Sequence, residues 1–171
     1  ALFIIGTGKI LNIPNEVIAQ FLKTTKALEH RLENFFLKKN TLFVNDSKGT
    51  NVESTIKAIE AFKNKIILIA GGENKKICND ELIKKINERV GFVYLIGETG
   101  AILAEEMEKI GYKKYKNLGI LEKVLVDIKE NLDFEDSQTI LFSPATASFD
   151  QFKNFEERGK IFKELTNKIL R

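Results

Sequence analysis

Short apolar runs alternate along most of the chain with longer segments in which apolar residues recur at helical spacing. The runs predict strands at residues 65–70, 91–96, 114–116 and 139–142. The periodic segments predict helices at residues 51–62, 80–89, 99–110, 118–131 and 151–170. Strands rich in Val, Ile and Leu that alternate with helices indicate a mostly parallel sheet covered on both faces.

The N-terminal part of the chain has a different pattern. Residues 1–11 predict the end of a helix, and residues 14–22 predict a second helix with proline in its first turn. Two runs at residues 32–37 and 41–45 flank Lys38-Lys39-Asn40, which predicts a hairpin and therefore one antiparallel strand. The expected fold is an α/β, Rossmann-like sheet, mostly parallel with one antiparallel strand, with helices on both faces.

Length, charge and cysteine count limit the kinds of protein that this chain can be. A chain of 171 residues is long enough for one domain with a sizeable core, and its 27 basic and 24 acidic residues nearly cancel. We therefore expect no nucleic-acid partner and no membrane partner. We also expect a monomer. A single cysteine excludes an internal disulfide and suits the cytoplasm, and one cysteine with one histidine argues against a metal site.

The start of the chain carries no targeting signal that we recognise. Its apolar opening at residues 1–5 is too short to span a membrane and has no basic residues before it, so we do not interpret it as a signal peptide. The first residue is Ala rather than Met. We expect a piece of a longer chain.

The loop Asn45-Asp-Ser-Lys-Gly-Thr-Asn51 follows a predicted strand and precedes a predicted helix. Gly49 permits backbone conformations that other residues resist, and Thr50 with Glu53 has capping-box spacing. A well-made turn explains these residues but not Lys48, because the helix dipole disfavours a cation at a helix N-terminus. An anionic ligand between Lys48 and the helix would explain it.

Two further loops follow predicted strands. Gly71-Gly-Glu-Asn-Lys75 brings flexible backbone and a lysine, although a plain turn with a solvated lysine explains it equally well. Ser148 precedes Gln151 at capping-box spacing, which predicts a helix start whose free N–H groups suit an anion. Since the carboxyl ends of parallel strands meet at one edge, Lys48, Lys75 and Ser148 should converge on a ligand that carries carboxylate or phosphate.

Other conspicuous residues have simpler interpretations. His30-Arg31 is more typical of a structural or exposed pair than of a catalytic one. Gly6-Thr-Gly-Lys9 lacks the spacing of a phosphate loop and lies in a helical pattern, so we reject it as a nucleotide site.

The C-terminal segment also contains residues that packing could explain. Glu156-Glu157-Arg158 is typical of a solvated helix face. Phe149, Phe152 and Phe155 recur at helical spacing, so we expect at least two of them in the core.

Taken together, the loops resemble the C-terminal part of the cytoplasmic Mur ligases, most closely the branch that adds D-glutamate. The matching strings are His30-Arg-Leu-Glu33, Asn45-Asp-Ser-Lys-Gly-Thr-Asn51, Ile69-Ala-Gly-Gly72 with Lys75, and Ser143-Pro-Ala-Thr-Ala-Ser-Phe-Asp-Gln-Phe-Lys-Asn-Phe-Glu-Glu-Arg-Gly159. The last string is the most specific to that branch. By this resemblance, residues 1–29 are the closing helices of a central ATPase domain and residues 30–171 the amino-acid-binding domain.

The resemblance implies ATP-dependent amide formation in the synthesis of peptidoglycan precursors. ATP, with Mg²⁺, phosphorylates the L-alanine carboxylate of UDP-N-acetylmuramoyl-L-alanine, and the D-glutamate amine attacks the acyl phosphate. The phosphate loop, the magnesium ligands and the uridine-binding domain lie in N-terminal and central domains that this sequence does not include. The chain alone should therefore be inactive, with no catalytic residue and no bound cofactor or metal of its own.

The resemblance also assigns residues. Lys48, Thr50, Ser148, Phe149 and Phe155 would cradle D-glutamate, with Lys75 on its side-chain carboxylate. His30, Arg31 and Asp46 would lie on the nucleotide side. The loop Glu73-Asn-Lys-Lys76 departs from the family pattern, which leaves the choice between Lys75 and Lys76 open.

Two alternative functions remain at this point. One is another amino-acid-adding ligase of the same superfamily, including the folylpolyglutamate type, although the run from Asp150 to Gly159 argues against it. The other is a stand-alone binding or interaction module that shares only the fold.

Overall fold

The computed structural model of the chain describes residues 2–25, 28–74 and 79–171. The strands in these ranges are β1 (Glu33–Lys38), β2 (Thr41–Asn45), β3 (Lys65–Gly71), β4 (Val90–Ile96), β5 (Tyr115–Gly119) and β6 (Gln138–Phe142). The helices are α1 (Leu2–Ile10), α2 (Asn15–Thr24), α3 (Val52–Glu60), α4 (Asp80–Arg89), α5 (Thr99–Lys109), α6 (Leu121–Asn131) and α7 (Phe155–Leu170).

The strands form one sheet in the order β1-β2-β6-β3-β4-β5. Strand β1 is antiparallel to β2 at one edge, and the other neighbouring pairs are parallel. This arrangement confirms the predicted fold class, including the hairpin. Because β6 lies between β2 and β3, the loops that follow these three strands meet at the carboxyl end of the sheet.

Apolar cores on the two faces of the sheet hold the helices in place. In β3, Ile66 and Leu68 belong to the core shared with α3, α4 and α5, whereas Ile67 and Ile69 belong to the core shared with α6 and α7. Successive side chains of a strand point to opposite faces, so a strand covered on both faces needs apolar residues throughout. This requirement explains why β3 reads as a continuous apolar run.

Helices α1 and α2 pack mainly against each other. Gly8 permits their close approach, since a Cβ atom there would lie 2.6 Å from Cδ1 of Ile18. Large apolar side chains nevertheless remain exposed, among them Leu2, Phe3 and Phe21. Phe3 and Phe21 border an open apolar groove of about 360 Å³. No helix in the described ranges combines the length and the apolar content needed to cross a bilayer.

Helix α7 begins later than the sequence predicts. The prediction placed its start near Gln151 with Ser148 as the cap, but the helix begins at Phe155. Its cap is Asn154, whose side chain accepts a hydrogen bond of 2.8 Å from the backbone N–H of Glu157. The prediction is wrong because Asn154 through Glu157 repeats the same capping spacing closer to the apolar face of the helix.

The capping residue of α3 also differs from the prediction. Thr50 was expected to cap the helix with Glu53, but the cap is Asn51, whose side chain accepts from the backbone N–H of Ser54 at 2.8 Å. Asn is as good a cap as Thr or better, and here it stands one residue nearer the helix. Thr50 therefore precedes the cap and is half-buried.

Candidate functional site

The candidate site lies at the carboxyl end of the sheet, on a surface that we call the rim. The rim consists of residues 46–51, 72–74 and 143–154, which follow β2, β3 and β6. Strands β2 and β6 are parallel neighbours with Asn45 opposite Phe142, so Lys48 and Ser148 belong to the same end of the sheet. Lys75 and Lys76 lie outside the described residues, although β3, which precedes them, ends at the rim.

Lys48 is an exposed cation of the rim. Its backbone N–H donates to the carbonyl of His30 at 3.0 Å, and its Nζ lies 5.3 Å from the centroid of the Phe155 ring. Within the described part of the chain, no carboxylate forms an ion pair with Lys48. The aromatic face holds the ammonium in place without neutralising it, which leaves its charge available to an anion.

Two open cavities meet at Lys48. The first, of about 340 Å³, is lined by Arg31, Leu32, Asp46, Lys48, Gly49, Glu53, Ser54, Lys57 and Ala58. The second, of about 670 Å³, is lined by Leu28, Glu29, His30, Lys48, Asn154, Phe155, Glu156, Glu157 and Lys160. Cations on the wall of the first cavity, together with the N-terminus of α3, make it suitable for an anionic ligand.

Asp46 is buried beneath the first cavity and bonds within the chain. Its Oδ1 accepts from the backbone N–H of Leu32 at 3.1 Å, and its Oδ2 accepts from the Ser143 hydroxyl at 2.7 Å. Ser143 Oγ also lies 2.9 Å from the hydroxyl of Thr55. Burial raises the pKa of the Asp46 carboxyl, although the bonds from Ser143 and Leu32 oppose this effect. Asp46 thereby connects the loop before β1 with the loop after β6.

Gly49 is required for space rather than for an unusual backbone. The sequence suggested a conformation that other residues resist, but Gly49 is not among the glycines with positive φ. A Cβ atom at this position would lie 2.6 Å from both Asp46 Oδ2 and Ser143 Oγ. The glycine therefore makes room for the bond between these two side chains.

His30 is buried at the start of the hairpin, with φ of 63°. Its Nδ1 lies 2.9 Å from Nδ2 of Asn45, while Oδ1 of Asn45 accepts from the backbone N–H of Ser47. This orientation makes the Asn45 amide the donor, so Nδ1 of His30 accepts and the neutral ring carries its proton on Nε2. The ring also meets Phe155 edge-on, with centroids 6.3 Å apart.

One grouping among the described residues has the composition of a metal site, namely Glu29, His30 and Glu33. Lys163 already binds both carboxylates, with Nζ 2.6 Å from Glu29 and 2.9 Å from Glu33. The ammonium thus supplies the positive charge that a cation would bring. This grouping fastens α7 to the hairpin.

The aromatic residues near Ser148 do not all pack as the sequence predicts. Ser148 is buried below the rim surface, whereas Phe149 beside it is 64% exposed. Phe152 packs against the core shared with α6 and α7, and Phe155 lies half-buried between His30 and Lys48. The expectation that at least two of the three phenylalanines are core residues is therefore wrong, because the chain turns at residues 148–152 before the helix begins.

Arg158 was interpreted as part of a solvated helix face, and this prediction is wrong. Its side chain is fully buried and donates hydrogen bonds to the loops after β2 and β6. Burial lowers the pKa of its guanidinium to about 10, so it stays charged at neutral pH. The signal in the sequence was its spacing, since Arg158 precedes the buried Phe162 and Thr166 at intervals of four on the inward face of α7.

Comparison with known protein families gives one direct match. The family model described as "Mur ligase, glutamate ligase domain" matches residues 30–146. The matched segment begins at His30 and includes the loops after β2 and β3.

Curated relatives match nearly the whole chain. UDP-N-acetylmuramoylalanine–D-glutamate ligase of Fusobacterium nucleatum is 44% identical over 170 residues, which cover 98% of this chain and 39% of the relative. The enzymes of the same name from Trichodesmium erythraeum and Caldicellulosiruptor bescii are 37% and 40% identical and cover 96% and 92% of this chain. The chain spans 39%, 36% and 34% of the lengths of these three relatives.

Solved structures share the fold at low sequence identity. The MurF ligase of Thermotoga maritima in complex with ADP matches with a TM-score of 0.58 and 18% identity, over 95% of this chain and 36% of that one. A bifunctional folylpolyglutamate synthase/dihydrofolate synthase from Yersinia pestis matches with a TM-score of 0.58 and 16% identity, over 89% of this chain and 34% of that one. At these identities the likeness concerns the fold alone.

Proposed function

The chain belongs to the Mur ligase family through its glutamate ligase domain, and on this basis we propose that it is the amino-acid-binding domain of an ATP-dependent ligase. In this proposal the full-length protein joins D-glutamate to UDP-N-acetylmuramoyl-L-alanine during the cytoplasmic synthesis of peptidoglycan precursors. The L-alanine carboxylate is activated as an acyl phosphate, and the amine of D-glutamate attacks it to form the amide.

The observation that carries the proposal is the setting of Lys48. It is an exposed cation without an ion-pair partner among the described residues, between two cavities and before the N-terminus of α3. D-glutamate carries two carboxylates and needs charge-assisted donors of this kind. The identity of 37–44% to D-glutamate ligases over nearly the whole chain supports this choice of amino acid.

We assign the D-glutamate site to Lys48, Thr50, Ser148, Phe149 and Phe155, with Lys75 on the side-chain carboxylate of the ligand. The ring of Phe155 lies against Lys48 and restricts where the ammonium can move. A restricted ammonium loses less conformational entropy when it binds a carboxylate. The domain then contributes by holding the amine in line with the activated carboxyl group.

We assign the nucleotide side to His30, Arg31 and Asp46. Arg31 is exposed and lines the first cavity together with Lys57, so it is the member of this group that is available to a phosphate. His30 and Asp46 are buried and bond within the chain. Their part in this proposal is to hold the loop that carries Arg31.

Mg²⁺ does not fit the one grouping of possible metal ligands among the described residues. It prefers carboxylate oxygens and water, and the carboxylates of Glu29 and Glu33 bind Lys163 instead. We therefore assign the magnesium ligands, like the phosphate loop, to the other domains of the full-length protein.

The domain boundary follows the same proposal. We infer that residues 1–29 are the closing helices of a central ATPase domain and that residues 30–171 form the C-terminal ligase domain. The apolar groove between α1 and α2 supports this division, because exposed apolar surface of this kind commonly packs against another domain. The match of the family model from residue 30 onward is consistent with it.

Amino-acid selectivity of the full-length protein tests the function. Purified protein should release phosphate from ATP in the presence of UDP-N-acetylmuramoyl-L-alanine and D-glutamate, but not when L-glutamate replaces D-glutamate. The 171-residue chain should release no more phosphate than a control without protein. Equal turnover with L-glutamate and a folate substrate would favour the folylpolyglutamate type, and a native gene without an ATPase domain would favour a stand-alone module.

A further inference from the structure

Arg158 contacts the rim through all three of its guanidinium nitrogens. Nε donates to the hydroxyl of Ser47 at 3.0 Å, and Nη2 donates to the carbonyl of Ser47 at 2.8 Å. Nη1 donates to the carbonyls of Thr146 and Ala147 at 3.0 and 3.1 Å. A single planar group on α7 therefore bonds to the loops after β2 and β6 together.

The residues that Arg158 holds are the immediate neighbours of the proposed ligand-binding residues. Lys48 follows Ser47, and Ser148 follows Ala147. A carbonyl fixed in space fixes the peptide plane that joins it to the next residue. Arg158 thus fixes the position of the backbone nitrogen of Lys48 and of Ser148.

A third loop also packs around the guanidinium. At Gly72, after β3, a Cβ atom would lie 3.2 Å from Nη1 of Arg158 and 2.5 Å from the carbonyl of Ala147. The backbone N–H of Glu73 donates to that same carbonyl at 3.0 Å. The loop after β3, which leads to Lys75, therefore packs against Arg158 and against the Ala147 carbonyl that Arg158 binds.

The loop after β6 contains local strain that these contacts oppose. Ala145 has φ of 65°, a left-handed conformation that side chains other than glycine disfavour. Its backbone N–H donates to the carbonyl of Gly49, and the two residues that follow it accept from Arg158. Strained backbone persists where its surroundings over-determine it, and it is concentrated at functional sites.

Stability alone is a poor explanation for this arrangement. A buried charge loses its hydration, and in the described part of the chain no carboxylate forms an ion pair with Arg158. The attraction of Asp150 raises the pKa of the guanidinium by less than burial lowers it, so it offsets only part of that cost. An apolar side chain of similar volume would avoid that desolvation cost, but it would leave the carbonyls of Ser47, Thr146 and Ala147 without this donor. An apolar side chain also has no donor with which to hold the carbonyls of Ser47 and Ala147 at a fixed separation.

We propose that Arg158 is a positioning residue for the amino-acid site, because its guanidinium sets the spacing between the loop of Lys48 and the loop of Ser148. This proposal rests on the proposed function for its kinetic consequences but not for its structural ones. Its role is indirect, since it acts through Ser47 and Ala147 rather than by touching the ligand.

The test uses Arg158→Lys in the full-length protein, which retains the charge and loses the planar fork. The matched control is Phe162→Leu, one turn further along the buried face of α7, where Phe162 packs on Phe142 with ring centroids 4.5 Å apart. Both variants should lower the melting temperature. Arg158→Lys alone should raise the KM for D-glutamate, by about tenfold or more, with the KM for ATP nearly unchanged.

Amide hydrogen exchange provides a readout that does not depend on ligase activity. The backbone N–H groups of Ala145, Gly71 and Glu73 bond across the rim loops, so they should exchange faster in Arg158→Lys than in Phe162→Leu. If Arg158→Lys does not fold, Ser47→Ala removes one acceptor of Arg158 and should give the same pattern at smaller amplitude.

The outcomes separate the two proposals. Equal exchange at these amides in the matched variants would overturn the positioning role, as would an unchanged KM for D-glutamate in Arg158→Lys. Faster exchange in Arg158→Lys, combined with wild-type protein that does not use D-glutamate, would uphold the positioning of the loops and refute the proposed function.

Discussion

The two ends of the sheet treat ionisable side chains in opposite ways. At the carboxyl end, His30, Asp46 and Arg158 are buried and bond to loop backbone or to neighbouring side chains. At the amino end, charges form pairs in solvent, as in Lys65 with Asp136, whose side chains are 50% and 58% exposed. Among the described residues, no other Asp, Glu, His, Lys or Arg side chain is buried.

This difference indicates two roles for ionisable side chains: the buried ones position loops, and the exposed ones keep the surface soluble. Burying an ionisable group costs free energy of folding, and in this protein the buried charged or titratable groups named above all lie where they hold loops in one arrangement. Exposed pairs contribute little to stability and constrain little. If this interpretation is right, substitutions at the carboxyl end should alter binding and pH dependence, whereas substitutions at the amino end should alter neither.

The largest effect is expected for Lys48→Ala in the full-length protein. Loss of one charge-assisted hydrogen bond to D-glutamate costs about 1.5–3 kcal/mol, so the KM for D-glutamate should rise roughly tenfold to hundredfold. Steady-state kinetics with each substrate varied in turn provides the measurement. A fall in kcat as well would mean that the lysine also orients the amine, and an unchanged KM for D-glutamate would contradict the assignment.

A second prediction separates the helix cap from the proposed ligand contact at Ser148. Asn154→Ala removes the cap of α7 and should cost about 1 kcal/mol, a fall in melting temperature of roughly 2–4 °C. Ser148→Ala removes no cap and should instead weaken D-glutamate without weakening ATP. Melting curves and substrate titrations on both variants decide the matter. Equal weakening toward all substrates by Ser148→Ala would rule out a specific contact with D-glutamate.

The third prediction concerns pH and Asp46. Burial raises the native pKa of this carboxyl above its unfolded value, so the native protein retains the proton to higher pH and its stability falls as pH rises through the native pKa. Asp46→Asn lacks this titration and should therefore gain stability relative to wild type between about pH 4 and about pH 7. Urea unfolding at the two pH values measures the free energy of unfolding of each protein, and a variant that loses stability relative to wild type between pH 4 and pH 7 would refute the expectation.

The smallest effect is expected at the amino end. Lys65→Ala breaks an exposed pair with Asp136, with Nζ and Oδ2 3.2 Å apart, and should change the melting temperature by about 1 °C or less. It should also leave the KM for D-glutamate unchanged, which makes it a matched lysine control for Lys48→Ala. A change in KM comparable to that of Lys48→Ala would undermine the contrast between the two ends.

Most of the fold could be predicted from local pattern. The strand at 65–70 and the hairpin around Lys39 were correctly predicted, because a continuous apolar run and a short polar turn are determined by neighbouring residues. The position of β6 between β2 and β3 could not be obtained in this way. Strand order depends on contacts between distant segments, which apolar periodicity does not encode.

The exposed position of Lys48 agrees with the sequence analysis, whereas the burial of Arg158 was missed. Lys48 stood out because a cation before a helix has no structural reason to be there. Arg158 did not, because two glutamates precede it and the triplet resembles a solvated face. The caps at Asn51 and Asn154 were missed because α3 and α7 each have two candidate capping residues in the sequence, and the backbone dihedrals decide between them.

The place of β6 in the sheet also has a consequence for synthesis on the ribosome. Until Phe142 has emerged, β2 and β3 have no strand between them, and the nascent sheet consists of the hairpin and a separate group of β3, β4 and β5. Each piece exposes an apolar edge that could pair with another unfinished chain. Pairing of β6 with β2 and β3 covers both edges at once, so a chain stalled before β6 emerges keeps them exposed.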